Sequence, residues 1–97
     1  MELRHLRYFV VVAEELSFSR AAECLHMTRS PLTRLIHALE AELGIALFER
    51  RRQQIVLTPA GEAFLDRSST VLTPCEEAVQ MAWRSLRKPK SVSRPTR

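Results

Sequence analysis

Apolar residues recur through the first sixteen positions with helical spacing. Leu3, Leu6, Val10 and Ala13 fall at i, i+3, i+7 and i+10. Phe9, Val12 and Leu16 widen the stripe and Tyr8 extends it, so the apolar arc exceeds what one buried face requires. Such a helix is either sandwiched between neighbours of its own domain or offers a face to a second subunit. The pattern leaves both open. In the next segment Phe18, Ala21, Ala22 and Leu25 form one helical face, with Ser17 or Ser19 as its cap and Cys24 expected as a small core residue. His26-Met27 makes a turn, and Thr28 is the N-cap of a third helix that tolerates Pro31 in its first turn. Leu32, Leu35, Ile36, Leu39 and Leu43 share one side of that helix. The other side carries Ser30, Thr33, Arg34 and His37, and Gly44 stops it.

The period then changes. Leu47–Arg50 and Gln54–Leu57 read as short strands flanking Arg51-Arg52-Gln53, without the Asn-Gly dipeptide that would define the turn between them. Thr58-Pro59 opens a fourth helix, with Thr as cap and Pro at the first helical position. Along it Leu65, Leu72, Val79 and Leu86 recur every seven residues, and Phe64, Val71, Cys75 and Ala82 fill in. A sustained seven-residue stripe predicts pairing along the helix. Pro74 interrupts it, and a proline in a helix interior costs about 3 kcal/mol unless the helix bends or restarts, so a kink or break is expected near Thr73.

The elements predict a mainly α fold: a winged helix-turn-helix of three helices and a two-stranded wing, followed by a long linker or dimerisation helix. Residues 1–58 form the domain, with the helix-turn-helix at about 18–37 and the wing at about 47–57. Residues 59–87 form the linker helix. The Pro, Ser and charge content of 88–97 reads as a basic flexible tail.

Charge changes this picture less than the net value of +4 suggests. Six of the fifteen bases lie between Arg84 and Arg97, which leaves nine bases against eleven acids in the rest of the chain. What counts is clustering. The N-terminus of a helix docked in a major groove points at base edges, and Arg29 there has the fork for guanine O6 and N7, worth about 1–3 kcal/mol of discrimination. Ser30 and Thr33 suit base edges or phosphates. Arg34 and His37 lie where phosphate contacts position a helix, and Arg50, Arg51 and Arg52 lie where a wing meets the backbone or adjacent minor groove. A solvated basic surface is the alternative for each residue taken singly.

Other chemistries find little support. His5, His26 and His37 lack metal-ligand spacing, and no metal or other cofactor is expected. Glu14-Glu15, Glu40/Glu42 and Glu76-Glu77 fall on polar helical faces and read as solvated rather than as acid/base pairs. With only Gly44 and Gly61 there is no phosphate-binding loop. Phe9, Phe18, Phe48, Phe64, Tyr8 and Trp83 fall mostly at core positions, which argues against single-stranded RNA. An assembly module would carry apolar residues on the outer side of the third helix, where this chain is polar. No run is long and apolar enough to span a bilayer, and the charged N-terminus is unlike a signal peptide. Two cysteines far apart fit a reducing cytoplasm, although Cys75 on the paired stripe has a counterpart to meet in a dimer.

Taken together, the stretch from Leu3 to Leu65, with its FSRAA block, PLTRLIHALE helix, ELGIALFER junction and LTPAGEAFL helix opening, resembles the N-terminal DNA-binding domain of LysR-type transcriptional regulators. The resemblance implies a bacterial one-component regulator whose linker helix pairs two subunits, with a larger C-terminal domain for a small-molecule co-inducer. It implies Arg29, Ser30, Pro31, Thr33 and Arg34 at the major groove, and Arg51 and Arg52 in the wing. Position 29 is commonly Gln in the family, and Gln favours adenine where Arg favours guanine. The 97 residues hold no counterpart of the effector domain, so a co-inducer is expected only where one exists.

The expectation is a cytoplasmic homodimer, tetrameric at most in a full-length form, that binds double-stranded DNA and is not an enzyme. Its DNA-binding set is Thr28, Arg29, Ser30, Pro31, Thr33, Arg34, His37, Arg50, Arg51 and Arg52. Its dimer set is Tyr8, Val12, Leu65, Leu72, Cys75, Val79, Ala82 and Leu86.

Overall fold

The computed structural model describes residues 1–87, and the tail expected at 88–97 lies outside them. The order is α1 (Leu3–Glu15), α2 (Phe18–Cys24), α3 (Arg29–Leu43), β1 (Phe48–Arg51), β2 (Gln54–Leu57) and α4 (Pro59–Arg87). This is the winged helix-turn-helix and long helix that the pattern predicts.

Helix α1 is the hub, touching α2, α3 and α4. The middle of its wide apolar arc is taken up by that role, with Phe9, Val10, Val12 and Ala13 buried, while Leu3 and Leu16 at its ends stay exposed. Val12 is completely inaccessible, so it belongs to the domain's own core. Tyr8 is half-buried and packs on the same core. Leu32, Ile36 and Leu39 of α3 close the core from one side and Leu47 from another. Phe9 sits between Phe48 of the wing, in a tilted contact, and Phe64 of α4, edge to face, with ring centroids 5.5 and 5.1 Å away. These aromatic contacts root both the wing and the long helix in the domain.

The turns use left-handed residues. Leu16 ends α1 with φ 51°, and His26 in the α2–α3 turn has φ 57°. The Met27 amide reaches back to the Ala22 carbonyl at 3.0 Å, closing the end of α2. Ser17 caps α2 by accepting from the Arg20 amide at 3.2 Å. Gly44, with φ 74°, ends α3 as the sequence predicts.

Strands β1 and β2 pair antiparallel, from Phe48↔Leu57 to Arg51↔Gln54. That leaves Arg52 and Gln53 as a two-residue turn. Arg52 takes φ 57°, where a hairpin ordinarily carries glycine. The wing then hands over to α4 through Thr58, whose Oγ1 accepts from the Gly61 amide at 2.9 Å and donates to the Ala46 carbonyl at 2.7 Å. A Cβ on Gly61 would lie 2.1 Å from the Leu47 carbonyl oxygen, so only glycine lets α4 start this close to the loop before β1.

Helix α4 runs without interruption through Pro74, and the expected break near Thr73 is absent. Pro74 has no N–H for the Thr70 carbonyl one turn back, but both residues are exposed and solvent can satisfy that oxygen. Leu72 is buried in the domain's core cluster. Its seven-residue spacing therefore marks an intrachain contact. Val79, Trp83 and Leu86 remain exposed, so Trp83 is not the core residue its type suggests. The projecting helix makes the chain elongated, 58 × 25 × 19 Å.

Candidate nucleic-acid interface

Helix α3 begins on the surface. Thr28 has the extended backbone of an N-cap, but its hydroxyl makes no capping bond. The amides of the first turn therefore face outward without a side-chain acceptor, a suitable setting for an anion. Arg29, Ser30, Arg34 and His37 are exposed, and Pro31 and Thr33 are half-buried beside them. The Thr33 hydroxyl donates to the Arg29 carbonyl at 3.1 Å, which leaves its lone pairs outward. The helix presents this polar face because Leu32, Ile36 and Leu39, on the opposite side, are buried in the core.

The wing adds Arg50, Arg51 and Arg52, all exposed. Arg51 is held by Glu49 at 2.9 Å. Among the described residues, Arg29, Arg34, Arg50 and Arg52 form no ion pair, so four guanidinium groups stand free for an external anion. Arg29 and Arg50 line one open groove of about 620 Å³ together with Gln53 and Gln54. Glu14, Glu15, Ser17, Ser19 and Arg20 line it as well, and sequence reasoning does not find the last three as site residues. The only signal is Arg20 directly after a Ser-Phe-Ser step, and its guanidinium is partly engaged by the Glu15 carbonyl at 3.0 Å. Arg50 also lines a smaller cleft with His37 and Glu40. Thr28, Ser30, Thr33 and Arg34 do not line these grooves.

Two expectations need correcting. Cys24 is exposed rather than a core residue, and its Sγ approaches the Glu15 carboxylate at 3.7 Å. Lost hydration, then the neighbouring Glu15 charge, push the thiol above its usual pKa, the reverse of an activated cysteine. Glu40 is no solvated acid. Its Oε2 accepts from the Leu47 amide at 2.8 Å and the Phe48 amide at 3.1 Å, tying α3 to the foot of the wing.

On α4, about 100° per residue puts Leu72, Cys75, Val79, Ala82, Trp83 and Leu86 on one side. Leu65 and Cys75 are half-buried, and Ala82 is exposed. Arg7 of α1 meets Glu76 at 2.6 Å, one turn before the uncovered part begins.

A sequence model described as the bacterial regulatory helix-turn-helix protein, lysR family, matches residues 3–62. The chain belongs to this family. It is 45% identical over 87 residues to the transcriptional regulator AlsR of Bacillus subtilis (strain 168), covering 90% of this chain and 29% of that protein. The regulator CatR of Pseudomonas putida is 56% identical over 72 residues, covering 74% and 25% respectively. The chain thus spans less than a third of the length of these relatives. The BenM_DBD/catB site 1 DNA complex superposes with a TM-score of 0.80 at 44% identity, covering 91% of this chain and 98% of that one. The CbnR_DBD–DNA complex gives 0.76 at 40% identity, covering 90% and 100%. As a LysR-family chain it shares its winged helix-turn-helix with domains solved on DNA. No helix among the described residues is long and apolar enough to cross a membrane.

Proposed function

We propose that this chain binds double-stranded DNA sequence-specifically, as the DNA-binding part of a bacterial transcriptional regulator and not as an enzyme. The observation that carries the reading is the free cationic surface shared by α3 and the wing, with Arg29 and Arg50 on one groove. The likeness to BenM and CbnR domains in complex with DNA supports it. Helix α3 enters the major groove by its first turn, where Arg29, Ser30 and Thr33 face base edges. Thr28, Pro31, Arg34 and His37 fit the flanking backbone, and Arg50, Arg51 and Arg52 meet the adjacent phosphates or minor groove.

The working form is a homodimer in the cytoplasm. Val79, Ala82 and Leu86 of α4, with Trp83 beside them, supply exposed apolar surface for a second copy, and the half-buried Cys75 lies at its margin, whereas Leu65 packs on the domain's own core. Two copies would address half-sites of an interrupted inverted repeat roughly 34 Å apart, or a multiple of that. A small-molecule co-inducer is expected only for a chain with an effector domain.

Iterative selection from a randomised duplex pool tests the reading. The expected outcome is a two-fold symmetric motif bound about 10³-fold more tightly than scrambled DNA. Equal, steeply salt-dependent binding to both would mean that phosphate contacts alone hold the DNA. Failure to bind either at low salt would return the chain to the class of assembly modules. Arg29→Gln should exchange guanine for adenine at one position of each half-site. An identical consensus for both proteins would remove Arg29 from base reading.

A further inference from the structure

Glu40 is a carboxylate in an unfavourable place for helix electrostatics. It lies in the last turn and a half of α3, where the carbonyl ends of the helix repel negative charge, and no basic residue offsets it there. Its partners explain its presence. Oε2 accepts two consecutive backbone amides, from Leu47 at 2.8 Å and Phe48 at 3.1 Å, across seven and eight residues of chain. Charge-assisted bonds of this kind are short and directional.

Leu47 is completely buried and is the junction of three elements. Its amide goes to α3 through Glu40, its chain continues into β1, and its carbonyl accepts the Thr58 amide at 3.0 Å just before α4. One turn before Glu40 on α3 is His37, and both line a cleft whose far side carries Arg50 of the wing. Glu40 thus ties α3 to β1 beside the cleft that His37 and Arg50 share.

We propose that Glu40 is a positioning residue that locks the wing to α3, so that the arginines of both engage one duplex together. This rests on the DNA-binding reading above. Glu40 touches no DNA in this scheme. It acts through the direction in which β1 leaves the domain.

The 97-residue chain is compared with Glu40→Ala, Glu40→Gln and Glu40→Asp by amide exchange without DNA and by salt titration of binding to the selected duplex. In Glu40→Ala the Leu47 and Phe48 amides should exchange fast while those of Leu32–Leu39 stay protected. Duplex affinity at 0.1 M salt should fall on the order of tenfold, with a salt slope flatter by about 0.9 for each phosphate that the wing no longer neutralises. Glu40→Gln keeps an acceptor oxygen at the same reach and should restore both readings. Glu40→Asp keeps the charge but shortens the reach and should behave like Glu40→Ala, for which it substitutes if that variant does not fold. A merely structural role would lower thermal stability and leave the slope of the folded protein unchanged, which would overturn the proposal. So would a Glu40→Gln protein with protected amides but a flattened slope, since charge rather than position would then matter. Wild-type protein that binds no duplex at low salt refutes the DNA-binding reading itself, before any variant is compared, and this proposal with it.

Discussion

The two halves of α4 carry the same seven-residue stripe and use it differently. Up to Leu72 the stripe lies against the chain's own domain, with Leu65 half-buried and Leu72 buried. From Val79 onward it is bare, with Val79 52%, Trp83 57% and Leu86 75% exposed. The difference lies in α1, not in α4. Helix α1 is 13 residues long, about 20 Å, whereas the 29 residues of α4 span about 44 Å, so α1 can cover only part of it. An apolar repeat therefore states that a helix wants a partner without stating whether the partner is the same chain.

Charge substitutions on the two halves give the largest contrast. Leu72→Glu should destabilise the monomer by about 3–5 kcal/mol or more, because it removes a buried leucine and puts a carboxylate in its place. Urea unfolding monitored by circular dichroism would read this as a large drop in midpoint. Leu86→Glu, on an exposed position, should change monomer stability by less than about 0.5 kcal/mol. Sedimentation should nevertheless find it monomeric, against the dimer proposed for the wild type. If Leu72→Glu instead yields a folded monomer, the proximal stripe is an interface after all and the contrast collapses.

The boundary between the halves is Pro74, which offers the next largest effect. An alanine there regains an amide for the Thr70 carbonyl and has the higher helix propensity, together worth up to about 3 kcal/mol. Pro74→Ala should therefore slow amide exchange from Cys75 to Leu86 and raise the helical signal, while the core amides of Phe9, Val12 and Ile36 keep their rates. Unchanged exchange beyond position 74 would mean that the distal half takes its stability from docking rather than from its own backbone.

Sequence and structure part at specific residues. The order of elements, the wing and the exposure of the α3 face followed from period and caps, since both are local. The burial of Val12 and Leu72 did not, because it depends on which helix lies across them. Glu40 read as a solvated acid, since its two partners are backbone amides that carry no residue-type signal. Thr28 has the residue type of a cap but not the bond, and Arg52 takes a glycine's conformation without being one. Cys24 read as an apolar position, but two residues beyond the buried Ala22 it turns away from the core side of α2. In each case what decided the outcome was a tertiary neighbour or a turn geometry, neither of which composition records.

The smallest effect is the one that fastens the two halves together. Arg7 of α1 pairs with Glu76 at 2.6 Å, the first turn after Pro74, and both side chains are substantially exposed, at 53% and 40%. A pair so open to solvent contributes at most about 1 kcal/mol and often nothing measurable. Arg7→Ala should accordingly leave the urea midpoint almost unchanged. Its effect should be local: faster exchange at the amides from Glu76 to Val79, with no change at Leu65 or Leu72. Because the pair is exposed, raising the wild type to 1 M salt, where the screening length falls to about 3 Å, should produce much of the same change. Faster exchange in Arg7→Ala that salt does not reproduce in the wild type would trace the tether to packing of the Arg7 stem rather than to its charge. The end of α1 would then still hold the distal half, by apolar contact alone.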